Sequence, residues 1–131
     1  MFTLTQIAEA HSVVKSGADF PKLVLALKKL GVTKIITWVH DGHSQYFDES
    51  NNELESDCLY PKMAIANIVN APTFLNKLKE HQQGATDYFT FCIDAANNGI
   101  AYWEILTDAF TCTYKDIENN SILEEKIPQV Q

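Results

Sequence analysis

Laid over itself at a shift of 68 residues, the chain matches Thr5 with Thr73, Asp19 with Asp87 and Gly31 with Gly99. The same shift matches Tyr46 with Tyr114, Asp48 with Asp116 and Asn51-Asn52 with Asn119-Asn120. Identity between the halves is low. The matches nevertheless fall where helices begin, where they stop and where strands turn, and backbone geometry restricts residue choice at such positions. The apolar stripe Phe20, Leu23, Val24 and Leu27 also lands on Tyr88, Phe91, Cys92 and Ala95. Whatever unit occupies residues 1–68 is therefore expected again over residues 69–131. A chain of 131 residues has the length of one ordinary domain, so the two units are expected to share a core.

Local signals define the unit. Thr3 and Gln6 form a T-x-x-Q capping box, and Phe2 and Ile7 have the spacing of a hydrophobic staple. Ile7, Ala10, His11 and Val14 recur at helical spacing, with Ser16-Gly17 read as the stop and Gly17 as a left-handed cap. Asp19 is the expected N-cap of a second helix that runs to Gly31, and the short link implies an antiparallel helical hairpin. From Val32 to Asp48, apolar and polar residues alternate on both sides of Asp41-Gly42, which predicts a two-residue type I′ hairpin. Asn51-Asn52 marks a second turn into a polar edge strand over Glu53 to Tyr60, and Pro61 to Asn70 reads as a connector.

The second half follows suit. A helix is expected from Ala71-Pro72 to Gly84, and another, capped by Asp87, up to Gly99. Strands are expected over Ala101 to Thr107 and Phe110 to Lys115, about a turn at Asp108-Ala109, and over Ser121 to Ile127. The expected class is α+β: two tandem ααβββ units from an internal duplication, with antiparallel β-meanders packed against helical hairpins. Both one six-stranded sheet and two separate sheets fit this pattern. Trp103, Ile105, Cys112 and Tyr114 share one strand face and are expected in the core.

Charge excludes one class of function. With a net charge of −7 and a pI near 4.9, the chain does not suit a nucleic-acid binder, whose affinity comes largely from Lys and Arg neutralising phosphates. No basic segment followed by an apolar core opens the sequence, and no apolar run approaches the roughly 20 residues of a membrane span. Three cysteines without CxxC spacing suit reduced, mostly buried thiols, so a cytoplasmic location is expected.

Ionisable side chains cluster at His40, Asp41 and His43. In a two-residue hairpin the histidines would face each other across the strands, able to chelate a divalent metal with Asp41 orienting one or acting as a third ligand. Exposed histidines beside turns are common, and two histidines without a further Cys or His at ligand spacing seldom make a site, so metal binding is not the favoured reading and no cofactor is expected. His11 and His81 lie by helical apolar faces and read as hydrogen-bonded core histidines, though either would complete the cluster if the helices packed over it. Cys92 and Cys112 read as small buried apolar residues. Trp38, Ile36 and Phe47 share the face of His40 and His43, which makes Trp38, His40, Asp41, His43 and Phe47 the expected ligand- or partner-binding residues. No phosphate loop, G-x-S-x-G elbow, H-E-x-x-H motif or paired catalytic carboxylates occur.

HQQGATDYFTFC (81–92), Trp103, Asp108, TCTYKD (111–116) and EKIP (125–128) form a pattern that resembles the YdfO-like family of small bacterial and prophage proteins. KSGADFPK (15–22), LGVTK (30–34) and DGHSQYF (41–47) extend the similarity over nearly the whole chain; Ala109, where a bulkier residue is expected, is a minor departure. The resemblance implies an α+β fold and prophage association, with some members labelled phage envelope proteins. It carries no catalytic residues over. The expected function is a non-enzymatic binding or interaction module of prophage-associated type, for a protein or small-molecule partner and with its oligomeric state open. The alternative is a small metal-assisted enzyme centred on His40, Asp41 and His43.

Overall fold

The computed structural model describes residues 2–14 and 17–128. Helix α1 (Leu4–Ser12) is followed by a short 3-10 turn (Gly17–Asp19), α2 (Phe20–Lys29) and strands β1 (Lys34–Trp38), β2 (Ser44–Phe47) and β3 (Glu53–Glu55). Helices α3 (Ala71–Gln82) and α4 (Tyr88–Asn97) then precede β4 (Tyr102–Leu106), β5 (Thr111–Lys115) and β6 (Ser121–Lys126). The class is α+β, and all six strands form one antiparallel sheet in the order β3-β2-β1-β4-β5-β6.

The two meanders join at a seam between β1 and β4, where Ile35 pairs with Ile105 and Ile36 with Glu104. Ile36 and Glu104 are themselves 68 residues apart, so the seam's register is symmetric about this pair. The turns that follow the second strand of each half are built alike. Asp48 accepts from the amides of Ser50 and Asn52 and from the Asn52 side chain; Asp116 accepts from the amides of Glu118 and Asn120 and from the Asn120 side chain. Asn51 and Asn119 both take positive φ, 61° and 67°, a conformation asparagine tolerates better than most residues.

Local chemistry makes the helices. The Thr3–Gln6 box closes in both directions, and Phe2 and Ile7 are buried beside it. Asn70 and Asp87 cap α3 and α4 through the amides of Thr73 and Thr90. Gly31 and Gly99 follow α2 and α4 with φ of 100° and 86°. The helices lie on the sheet face that carries Ile35, Tyr46, Trp103, Ile105, Cys112 and Tyr114, all buried. Aromatic rings bind the two layers: Phe74 of α3 meets Tyr114 at 5.1 Å between centroids, and Phe91 of α4 meets Trp103 at 5.5 Å.

Three expectations are corrected. Helix α1 stops at Ser12 with Val13 as its C-cap, and Gly17 is not a left-handed cap: it opens the 3-10 turn against His81, whose carbonyl would overlap any Cβ placed there. Ser16, the other residue of that expected stop, lies outside the described residues. Asp19 does precede α2, but its side chain makes no capping hydrogen bond, because the 3-10 turn leads into the helix. The third strand ends at Glu55 rather than Tyr60, because the chain beyond Ser56, whose amide still donates to the Ser44 carbonyl, turns to bond the first hairpin's loop.

Candidate functional site

The β1–β2 connection is a four-residue loop, Val39–Gly42, closed by the Gly42 amide on the Trp38 carbonyl at 2.9 Å. A type I′ turn on Asp41-Gly42 would need positive φ at both residues, but Gly42 alone takes it, at 77°. His43 therefore stands opposite Trp38, with the Trp38 amide donating to the His43 carbonyl at 3.0 Å, and His40 belongs to the loop instead of pairing with His43. The equivalent loop, Thr107–Phe110, keeps this geometry with Phe110 at φ 57° where the first half has glycine. That conformation costs a bulky residue about 1 kcal/mol or more, which burial of the Phe110 ring offsets.

What overrides the local Asp-Gly preference is a strap from residues 56–63. Leu59 and Tyr60 donate their amides to the Asp41 carbonyl, Met63 donates to that of His40, and the Tyr60 hydroxyl donates to that of Val39. The Tyr60 ring lies so close to Gly42 that a Cβ there would come within 2.7 Å of it. On its other side Tyr60 meets Phe89 of α4 edge-on at 5.2 Å.

Inside this frame Asp41 is the hub, with its side chain only 6% exposed. Its Oδ1 accepts from the His43 amide at 3.0 Å and lies 2.5 Å from His43 Nδ1. Its Oδ2 lies 3.2 Å from His40 Nε2 and accepts from Cys58 Sγ at 3.2 Å. The far nitrogen of His43, Nε2, lies 3.1 Å from Glu55 Oε1 on β3. Burial alone would raise the Asp41 pKa, but hydrogen bonds from the His43 amide and ring and from Cys58, with the nearby His40, hold it well below the usual carboxylate range. The hydrogen bond to Asp41, helped by the charge of that carboxylate, pushes the Cys58 thiol up.

Trp38 forms the floor of the cluster. Its ring stacks on His43 (6.3 Å between centroids, 16° between planes) and lies 4.8 Å from Tyr102 across the seam, while its indole N–H donates to Gln45 at 2.8 Å. Trp38, Ile36, Phe47, Tyr102 and Leu106 occupy the sheet face opposite the helices and retain partial exposure. Phe47 shares that face but pairs with Lys34 at the far end of the hairpin, beneath the Lys34 ammonium at 4.5 Å. It belongs to the patch and not to the histidine cluster.

The other histidines stay away from the cluster. His11 Nε2 meets the Tyr46 hydroxyl at 3.3 Å on the helix side of the sheet, and His81 stacks on Phe91 at 4.4 Å with Nδ1 at the Thr86 carbonyl. Cys92 and Cys112 are fully buried, and burial pushes the Cys112 thiol up to about 12. Sequence reasoning missed Glu55, Cys58 and Tyr60 as parts of the cluster. The expected meander pairs the third strand with β2, and alternation along it puts Glu55 on the face of His43; nothing local marks the other two. A cleft of about 470 Å³ lies at the opposite end of β1, between Lys28, Asp48 and Asp108.

A model for a family of proteins of unknown function, DUF1398, matches residues 8–126. The chain belongs to this family. The match runs from within α1 to the last residue of β6, so the DUF1398 unit contains both meanders, the strap and the Asp41 cluster. No curated protein matches this DUF1398 chain. No helix among the described residues is long and apolar enough to cross a membrane.

Proposed function

We propose that this DUF1398 chain is a non-enzymatic interaction module, located in the cytoplasm, whose working surface is the open face of the sheet that carries Trp38. The observation that carries this reading is the one-sided cover of the sheet. Four helices bury one face, while Ile36, Trp38, Phe47, Tyr102 and Leu106 remain partly exposed on the other. Partly exposed aromatic and aliphatic side chains gathered on one face, here interleaved with Lys34, Gln45 and Glu104, mark interaction sites, and Trp and Tyr dominate the energetics of such surfaces.

The broad pleated face suits a macromolecule better than a small ligand, which prefers a concave site. A protein is favoured over nucleic acid by the net charge of −7. The prophage association implied by the YdfO-like resemblance would make the module an accessory factor. An origin of the two halves in one duplicated unit accounts for the seam register and the paired Asp48 and Asp116 turns.

The test is affinity capture with wild type, Trp38→Ala and an Ile68→Ala control in the exposed connector. One partner retained by wild type and by the control, and lost with Trp38→Ala, is the expected result. Capture indifferent to Trp38 would contradict the reading.

A further inference from the structure

His43 stands between two carboxylates, with Nδ1 2.5 Å from Asp41 Oδ1 and Nε2 3.1 Å from Glu55 Oε1. A neutral imidazole carries one N–H and one lone pair. If Nε2–H donates to Glu55, the Nδ1 lone pair points at the Asp41 carboxylate, and two acceptors at that distance need a cation. A second proton meets the requirement, and so does a metal ion. His40 adds a third group to the same carboxylate. Its Nε2 approaches the other oxygen of the same carboxylate at 3.2 Å, and a ligand atom from each of His40, Asp41 and His43 lies within 4.8 Å of the others. In the metal-free protein the His40 Nε2–H can donate to that oxygen, while a metal ion would take all three atoms together.

We propose that His40, Asp41 and His43 form a three-ligand site for a divalent transition metal of the zinc class, with Glu55 holding His43 through its far nitrogen. Two imidazoles and a carboxylate are borderline donors that suit zinc, and three protein ligands leave a fourth position for water or an exogenous group. A carboxylate on the non-ligating nitrogen of a histidine fixes its tautomer and raises its basicity, which is the geometry of Glu55. Cys58 lies outside the compact trio and serves to orient Asp41. The strap pins the Val39, His40 and Asp41 carbonyls of the loop, and Trp38 backs the His43 ring, so the ligands are held before any ion arrives. His40, about a third exposed, provides the route in from solvent. Binding breaks no covalent bond; any proton displaced from an imidazole passes to solvent. The site stands without the interaction reading, since its occupancy needs no partner.

The experiment titrates the untagged, metal-free, reduced protein with Zn²⁺ by calorimetry and with Co²⁺ by visible absorption. The expected result is one equivalent of zinc, with intense four-coordinate cobalt bands and no thiolate-to-cobalt charge-transfer band. His40→Ala should weaken binding at least 100-fold. Glu55→Gln, on an exposed edge strand, should weaken it roughly 10- to 100-fold while the circular dichroism stays unchanged. Absence of saturable binding would overturn the proposal. So would affinity unchanged in His40→Ala, which places the ion elsewhere, or a charge-transfer band abolished in Cys58→Ser, which makes the thiolate a ligand of a different site.

Discussion

Phe74→Ala is expected to lower the unfolding free energy by about 3–5 kcal/mol, a loss at the top of the range for truncating one core side chain. Phe74 is 1% exposed and lies where three elements meet: it projects from α3, sits 5.9 Å from Phe91 of α4 and 5.1 Å from Tyr114 of β5. Tyr114 in turn contacts Trp103 at 5.8 Å, so the ring supports an aromatic chain that seats both helices on the sheet. Removing it takes away the transfer energy of the ring and leaves a cavity that rigid aromatic neighbours fill poorly. A domain with about 5–15 kcal/mol of total stability would lose a large part of it. Urea unfolding followed by circular dichroism gives the value directly. A loss below about 1 kcal/mol would mean that the helix layer is not seated as described.

Asp41→Asn is expected to cost about 2–3 kcal/mol at neutral pH, within the range for hydrogen bonds made to a charged group, here a carboxylate whose side chain is 6% exposed. Asparagine can still accept from the His43 amide, but it loses the charge that gathers His43, Cys58 and His40. The pH dependence has a definite sign. A carboxylate held below its ordinary value of 3.8 binds protons less readily in the folded state, so its contribution is fully present above that pH. It fades as pH falls through the depressed native value. The wild-type advantage over Asp41→Asn should therefore shrink steadily as pH is lowered from about 5 towards 2. An advantage constant over that range would show that the amide disrupts packing, not charge.

The fold was legible wherever the signal is local. Thr3–Gln6, Asp87, Gly31, Gly99 and the Asp48 and Asp116 turns act on neighbouring backbone groups, and each does what its residue type suggests. The β1–β2 loop was misread because its geometry is decided at a distance. Tyr60 and the strap reach it from some twenty residues downstream and stabilise a four-residue loop over the two-residue turn that Asp41-Gly42 prefers on its own. Gly17 is a similar case: its missing side chain makes room for His81, not for a helix cap. The candidate cluster was half legible. His40, Asp41 and His43 are adjacent in sequence, whereas Glu55 and Cys58 reach them through strand pairing and the strap.

The open face is tested most directly by its own tryptophan. Among the core residues Trp103 is 5% exposed, while Trp38 lies on the uncovered side of the same sheet. Paired variants, Trp38→Phe and Trp103→Phe, leave a single indole each for fluorescence quenching by acrylamide. Lone Trp38 should be readily quenched and lone Trp103 shielded, with the difference abolished in urea. Equal shielding of both indoles in the folded chain would mean that the face carrying Trp38 is covered, and would contradict its role as the working surface.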